Sequence, residues 1–186
     1  MTVDKDNGIH LLLSHHGETR RRLRSLRVIV PRLIELDEDL RREAQEEARD
    51  FVRFIEVEHR LHERDEALSL FPRLKQLFEN RPELTDPGLQ QELDGAIEEH
   101  EDFDRLWSPL EHWLCLLLTP DAVVSLDRLQ QAIDALEHFF LDHFAREEAK
   151  LIPVAQQLGS DELALMAQEM LKRHDNGIFE RRLGCF

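Results

Sequence analysis

Residues 62–72 read HERDEALSLFP, and residues 143–153 read HFAREEAKLIP. Both stretches begin with His and carry Glu four residues later, Leu at the ninth position and Pro at the eleventh. The offset between the two copies is a constant 81 residues, which indicates an internal repeat of one structural unit. Because residues i and i+4 share one face of an α-helix, each copy directs an imidazole and a carboxylate to the same side.

Each copy of the repeat has a histidine upstream of it, 46 residues earlier in the first copy and 43 residues earlier in the second. The midpoints of these intervals fall near Asp39 and between Asp121 and Ala122, at the places where we predict turns on independent grounds. A hairpin that turns at its midpoint brings its two histidines to the same height. We therefore expect two pairs of facing histidines, His16 with His62 and His100 with His143.

The rest of the chain predicts helices joined by short connections. Apolar residues recur at three- and four-residue steps, no segment alternates in the manner of a strand, and Gly and Pro number seven each. We predict four long helices and a shorter fifth, running from about 9 into the 30s and over about 40–70, 87–118, 122–158 and 161–173. Pro31 should kink or end the first helix, Phe71-Pro72 should close or bend the second, and Asp86 should cap the third, which should bend at Pro109.

These elements predict an all-α fold, an antiparallel up-down four-helix bundle with an additional C-terminal helix. A length of 186 residues suits a single domain spanning 1–186. The bundle would cover about 8–158, and the fifth helix and tail about 160–186. Ordering of the tail after residue 176 is expected to be partial.

Composition narrows the class of function. Lys and Arg number 24 against 39 Asp and Glu, so the net charge is −15, which argues against nucleic-acid binding. No apolar run is long enough for a transmembrane helix, and the N-terminus lacks the layout of a secretory signal. The two cysteines, Cys115 and Cys185, are too few for a disulfide framework, so we expect a cytoplasmic protein. Monomer and homodimer both stay open.

The repeat and its upstream histidines supply six candidate metal ligands that would converge inside the bundle. Imidazole nitrogens with carboxylate oxygens suit Fe, Mn or Zn better than Ca or Mg. Six ligands exceed what one tetrahedral zinc needs and suit two metals bridged by carboxylates. Burying so many ionisable groups without a metal would be costly. The six are His16, His62, Glu66, His100, His143 and Glu147.

Several neighbours compete for the same roles. His15 competes with His16, which the apolar stripe of the first helix favours. His59 forms an i, i+4 pair with Glu63 one face over from the repeat pair. The shared Leu and Pro spacing favours a supporting or surface role for His59, and a ligand role stays open. Glu63 itself borders the site as a further candidate ligand, and Asp104 could add a carboxylate. Four histidines outside the repeat are interpreted as surface or packing residues: His10, His112, His138 and His174.

With these residues the chain resembles the hemerythrin-like, or HHE cation-binding, proteins. The resemblance spans roughly residues 8–158 and consists of an upstream histidine and a His-x-x-x-Glu with its Leu and Pro in each half. It implies a four-helix bundle holding two non-heme iron ions, with Mn or Zn less favoured. The implied ligands are the six residues above, with Glu66 and Glu147 as bridges, and some members of the family also use the glutamate that is Glu63 here.

The chain departs from the oxygen-carrying hemerythrins at two positions. Asp104 stands where they have a second histidine, and Glu147 follows its histidine by four residues where they have an aspartate at five. This weakens the case for reversible oxygen carriage. The resemblance implies binding or sensing of dioxygen or nitric oxide, or iron handling, with no catalytic residue assigned. The alternative is a di-iron redox enzyme that acts on hydrogen peroxide or nitric oxide.

Overall fold

The computed structural model of the chain describes residues 6–34, 37–84, 87–119 and 122–176. Within these ranges the regular secondary structure is helical and no strand occurs, which confirms the all-α class. The α-helices of the described ranges are α1 (Gly8–Ile29), α2 (Glu38–Arg53), α3 (Arg60–Asp65), α4 (Phe71–Asn80), α5 (Pro87–Leu117), α6 (Leu126–Arg146), α7 (Ile152–Ala155) and α8 (Ser160–Asn176).

The helix starts follow from local capping. The Asn7 side chain accepts a hydrogen bond from the backbone N–H of Ile9 at the start of α1, and Asp37 accepts from two backbone N–H groups at the start of α2. Pro31 lies in the 3₁₀ turn Val30–Ile34 that follows α1. Of the two predicted outcomes, a kink or an end, the proline therefore ends the first long helix.

Three π-helical segments join the shorter α-helices into two long ones. Phe54–His59 and Glu66–Leu70 link α2, α3 and α4 into the second long helix (residues 38–80). Glu147–Leu151 links α6 and α7 into the fourth long helix (residues 126–155). The predicted end of the second helix at Leu70 is therefore wrong, because the helix continues through Pro72 to Asn80.

Both copies of the repeat accommodate their proline within the helix in the same way. In each copy the residue before the proline, Phe71 or Ile152, donates its backbone N–H to the carbonyl five residues earlier, on Glu66 or Glu147. Proline lacks an N–H and its ring clashes with the carbonyl four residues back, so a wider turn lets the helix pass it. Both π turns begin at the candidate ligand glutamate.

Other boundaries shift by a few residues. The fourth long helix begins at Leu126, where Ser125 caps it, rather than at Ala122, and α8 extends to Asn176. Helix α5 contains Pro109 within an unbroken span. The predicted cap Asp86 and the tail 177–186 lie outside the described residues. None of the helices in the described ranges combines the length and hydropathy that a membrane crossing requires.

The long helices pack in a closed cycle, in which α1 contacts α2 and α6, and α5 contacts the same two helices. Helix α8 packs mainly on α1, where Gly8 permits a close approach, since a Cβ there would lie 2.5 Å from the Cε of Met166. Two apolar clusters fill the core. One contains Leu23 and Phe140, and the other contains Leu12 and Leu151.

A layer of buried polar side chains separates the two apolar clusters. Along each long helix the polar residues fall in sequence between the residues of one cluster and those of the other. This placement is unusual for a core, because burying polar groups is unfavourable unless they are paired or bind a metal. The buried polar residues of this layer include His16, His59, His62, Asp65, Glu66, Ser69, His143 and Glu147.

Candidate metal centre

Six side chains from four long helices converge in the polar layer. They form two groups whose ligand atoms lie within 4.8 Å of one another, and Glu66 belongs to both groups. Five of the six side chains are 2% exposed or less, and the His100 side chain is 13% exposed. The groups are His16, His62 and Glu66, and Glu66, His100, His143 and Glu147.

The two oxygens of Glu66 face different halves of the cluster. Its Oε1 lies 3.2 Å from Nε2 of His62 and 3.7 Å from Nε2 of His16. Its Oε2 lies 3.2 Å from Nε2 of His100. One carboxylate therefore reaches histidines on both sides.

Glu147 repeats this arrangement from the fourth long helix. Its Oε2 lies 3.4 Å from Nε2 of His16, and its Oε1 lies 3.6 Å from Nε2 of His143. The cluster thus offers two positions, each with two imidazoles. We call them position one, with His16 and His62, and position two, with His100 and His143. Glu66 belongs to both, whereas Glu147 belongs to position two, and its Oε2 also lies near His16 of position one.

The hydrogen bonding of these groups is incomplete. Within the described residues, the buried atoms that have no hydrogen-bond partner include both oxygens of Glu147, Oε2 of Glu66, and Nε2 of both His16 and His62. Buried polar atoms are almost always paired in folded proteins, and unpaired ones call for an explanation. All of these atoms point to the same space between the helices, and they are the nitrogen and oxygen donors that a transition-metal ion binds. The residues present therefore fit a metal site.

A carboxylate holds the outer nitrogen of His16. Nδ1 of His16 donates to Oε1 of Glu148 at 2.9 Å, and Nη1 of Arg20 donates to the same oxygen at 2.7 Å. The hydrogen bond from His16, opposed by partial burial and assisted by Arg20, lowers the pKa of Glu148 to about 2. Glu148 is then ionised and accepts only, so Nδ1 carries a proton, and Nε2 faces the cluster, where it offers a lone pair once it is deprotonated.

His143 has the same kind of support in position two. Its Nδ1 donates to Oε2 of Glu99 at 2.8 Å, and Arg146 pairs with the other oxygen of that carboxylate. Although burial opposes it, hydrogen bonding from His143 and Arg146 lowers the pKa of Glu99 to about 2. Hydrogen bonds of this kind orient histidine ligands in metalloproteins. Sequence analysis missed both Glu99 and Glu148, because they stand among many surface glutamates and match no element of the repeat.

The two bridging candidates titrate in opposite directions in the metal-free protein. Burial would raise the pKa of Glu66, but His62, His100 and His16 hold it well below its ordinary value. Burial and the neighbouring Glu66 carboxylate raise the pKa of Glu147 well above its ordinary value. Against the effect of burial, glutamate neighbours raise the pKa of His16 and of His100. The shifts of Glu147, His16 and His100 thus favour bound protons where a cation would place positive charge.

Glu63 and Asp104 lie beside the cluster and outside its two groups. Nη1 of Arg60 donates to Oε2 of Glu63 at 3.1 Å, and Oε1 of Glu63 lies 3.6 Å from Nε2 of His59. Asp104 is exposed and pairs with Arg60. The structure therefore does not bring Asp104 to the ligand atoms, and it places Glu63 at the edge of the site, between Arg60 and His59.

The competing histidines line the same layer without joining either group. His15 is partly buried, and its ring stacks on His62 with centroids 4.2 Å apart. His59 is buried, and its Nδ1 lies 3.3 Å from Nε2 of His15. Phe144 stacks on His16 at 4.0 Å between centroids, a contact that sequence analysis did not identify. These rings fix the orientation of the two imidazoles in position one.

The remaining histidines are separate from the cluster. His10, His112 and His138 are exposed, as expected for surface residues. Nε2 of His174 on α8 lies 2.8 Å from Oδ2 of the buried Asp65. This pair ties α8 to the second long helix next to the polar layer.

Comparisons of the chain with protein-family models, curated proteins and solved structures found no match. The chemistry of the site therefore rests on its own residues. Two sets of buried imidazole and carboxylate donors could each hold a metal ion.

Proposed function

We propose that this protein is a non-heme di-iron protein of the hemerythrin-like kind. The fold would be an antiparallel up-down four-helix bundle with α8 as the additional C-terminal helix. The observation that carries the proposal is the sharing of Glu66 and Glu147 between two pairs of histidines. A single metal uses one oxygen of a carboxylate or both on one side, whereas this arrangement presents one oxygen to each of two positions.

The residues divide between the two positions in a way that suits iron. His16 and His62 would hold one ion, His100 and His143 the other, and the two glutamates would bridge them. Mixed imidazole and carboxylate donors suit iron and manganese, and in bundle proteins they suit di-iron centres. When bound, the metal pair supplies redox-active sites for a small ligand.

We propose binding or sensing of a diatomic ligand, dioxygen or nitric oxide, or handling of iron, as the function. The chain's own residues orient the ligands through Glu99 and Glu148, and they exclude water through the apolar clusters on both sides of the polar layer. Phe144, stacked on His16, and Phe140, 4.7 Å between ring centroids from His59, form part of this apolar wall.

The test of this proposal is ligand binding by protein reconstituted with ferrous iron under anaerobic conditions. Addition of nitric oxide, and separately of dioxygen, should give a saturable change in the absorption spectrum at one ligand per metal pair. The variants His62→Ala and His143→Ala should lose this change. A wild-type protein that binds two irons and shows no change with either ligand would leave iron handling as the function.

One observation favours the alternative of a redox enzyme acting on hydrogen peroxide or nitric oxide. The Glu63 side chain is 12% exposed, and its Oε1 has no hydrogen-bond partner within the described residues. Burial raises the pKa of Glu63, and His100 and Arg60 oppose that shift. A carboxyl group with a raised pKa at the edge of a metal site is suited to proton transfer.

Turnover separates the two candidates. An enzyme should evolve oxygen from peroxide, or consume nitric oxide with a reductant, and should lose this activity in the variant His62→Ala. The variant Glu63→Gln should then lower turnover while two irons remain bound. Asp104→Asn serves as the matched control, since Asp104 is exposed and pairs with Arg60, as Glu63 does.

A further inference from the structure

A cavity of about 370 Å³ lies between α1, the second long helix and α8. Its buried wall includes His62 and Asp65, and its exposed rim includes Ser14, Glu58 and His174. The cavity therefore connects the protein surface to a side chain of position one. Nε2 of that side chain, His62, has no hydrogen-bond partner among the residues that the structure describes.

The lining of this cavity has the chemistry of a cation path. Three carboxylates and three imidazoles face it, against one guanidinium. Carboxylates and imidazoles are groups that divalent transition metals accept as ligands in place of water. These groups are Glu18, Glu58, Asp65, His15, His62 and His174, with Arg22 as the guanidinium.

The charges are not evenly distributed along the cavity. Asp65 is paired with Arg173 and His174, and Glu18 is paired with Arg21 and Arg22. These pairs leave Glu58 on the rim as the carboxylate best placed to attract a cation. His15, stacked on His62, lies between the rim and the cluster.

The size of the cavity also suits a hydrated ion. A water molecule occupies roughly 30 Å³ in the liquid, so six waters around a metal ion take up about 200 Å³. A cavity of about 370 Å³ has room for this complex, whereas a diatomic ligand needs far less space. The volume of the cavity and its lining side chains therefore both suit a hydrated metal ion.

We propose that this cavity is the route by which divalent metal ions reach the cluster, with position one filled from it. The inference rests on the proposed function, because it requires a metal in the cluster. In this route Glu58 attracts the hydrated ion, and His15 and His62 replace its water ligands on the way to position one.

The experiment measures the rate at which metal-free protein takes up Co²⁺, followed by its visible absorption after rapid mixing. Glu58→Lys should slow uptake about tenfold at low ionic strength, and the difference should shrink at high salt because the steering is screened. Ser14→Trp, which fills the rim from α1, should slow uptake at both salt concentrations. The matched control is Asp142→Lys, in a surface groove lined by Glu99 and Phe139 beside position two.

The final metal content separates failure of the route from failure of the proposed function. We expect all variants to reach two metals per chain, with uptake slowed only in Glu58→Lys and Ser14→Trp. Equal rates in all variants at full occupancy would overturn the route, and slowing by Asp142→Lys alone would place it beside position two. Wild-type protein that takes up neither Co²⁺ nor Fe²⁺ at the cluster would contradict the proposed function itself.

Discussion

Oε2 of Glu66 on the second long helix lies 3.2 Å from Nε2 of His100 on α5, while Oε1 of the same carboxylate faces the other half of the cluster. A buried carboxylate shared in this way connects two sets of imidazoles that would otherwise be independent. The proposal of two metal ions rests on this shared carboxylate and on Glu147, whose oxygens lie near His16 and His143.

Removal of either bridging candidate should cost metal at both positions. Glu66→Ala and Glu147→Ala should each lower bound iron from two per chain to one or fewer, because each carboxylate supplies an oxygen to both positions. Metal analysis after reconstitution with ferrous iron measures this directly. Asp104→Ala, which alters an exposed carboxylate on α5, should keep two irons. Two irons in both glutamate variants would refute the bridging assignment.

The carboxylates behind the histidines should tune affinity rather than decide metal number. Glu99→Gln or Glu148→Gln removes the ionised acceptor from Nδ1 of His143 or His16, and loss of such a partner typically weakens metal binding about tenfold or more. Competition with a chelator gives the affinity. The neighbouring exposed Glu98→Gln on α5 is the matched control and should bind metal as the wild type does.

The contribution of Glu147 to the stability of the metal-free protein should fall as the pH rises. The pKa of Glu147 is raised above its ordinary value of 4.5 by burial and by Glu66, so its protonated form stabilises the folded state. That contribution is complete below the unfolded pKa and is lost as the pH rises toward the folded pKa. Glu147→Gln cannot ionise, so the metal-free variant should be more stable than metal-free wild type by about 1–3 kcal/mol at pH 8. Urea unfolding at pH 5 and pH 8 tests this, and an equal pH dependence in both proteins would contradict it.

Metal binding should release protons. The raised pKa values of Glu147, His16 and His100 mean that the metal-free cluster holds protons that a cation displaces. Calorimetry in two buffers of different ionisation enthalpy should show net release from wild type and a smaller release from Glu147→Gln. Affinity should accordingly fall as the pH is lowered. Binding with no proton release at pH 6 would show that the cluster is already deprotonated.

The sequence pattern predicted which side chains converge between the helices better than it predicted where the helices begin and end. Spacing alone placed His16 opposite His62 and His100 opposite His143, because helices have a fixed rise and the turns fall at the midpoints. The pattern could not show that the second long helix continues through Pro72. That outcome depends on a backbone π turn that begins at Glu66, and the proline by itself is equally compatible with a helix that ends.

Residues that the two copies of the repeat do not share could not be found by spacing arguments. Glu99 and Glu148 contact histidines 44 and 132 positions away in sequence, so only the packing of the helices reveals them. For a related reason, the sequence could not decide whether Glu63 is a metal ligand. Its helix face borders the cluster, and the contact with Arg60 that turns its carboxylate to the edge is a matter of side-chain geometry.

The most direct test that the cluster binds two irons is the metal content per chain of protein purified in air, together with its absorption spectrum. A di-iron protein should contain two irons per chain and show a near-ultraviolet absorption band from an oxidised pair of bridged irons. Zinc alone, or no bound metal after reconstitution with ferrous iron, would contradict the di-iron proposal.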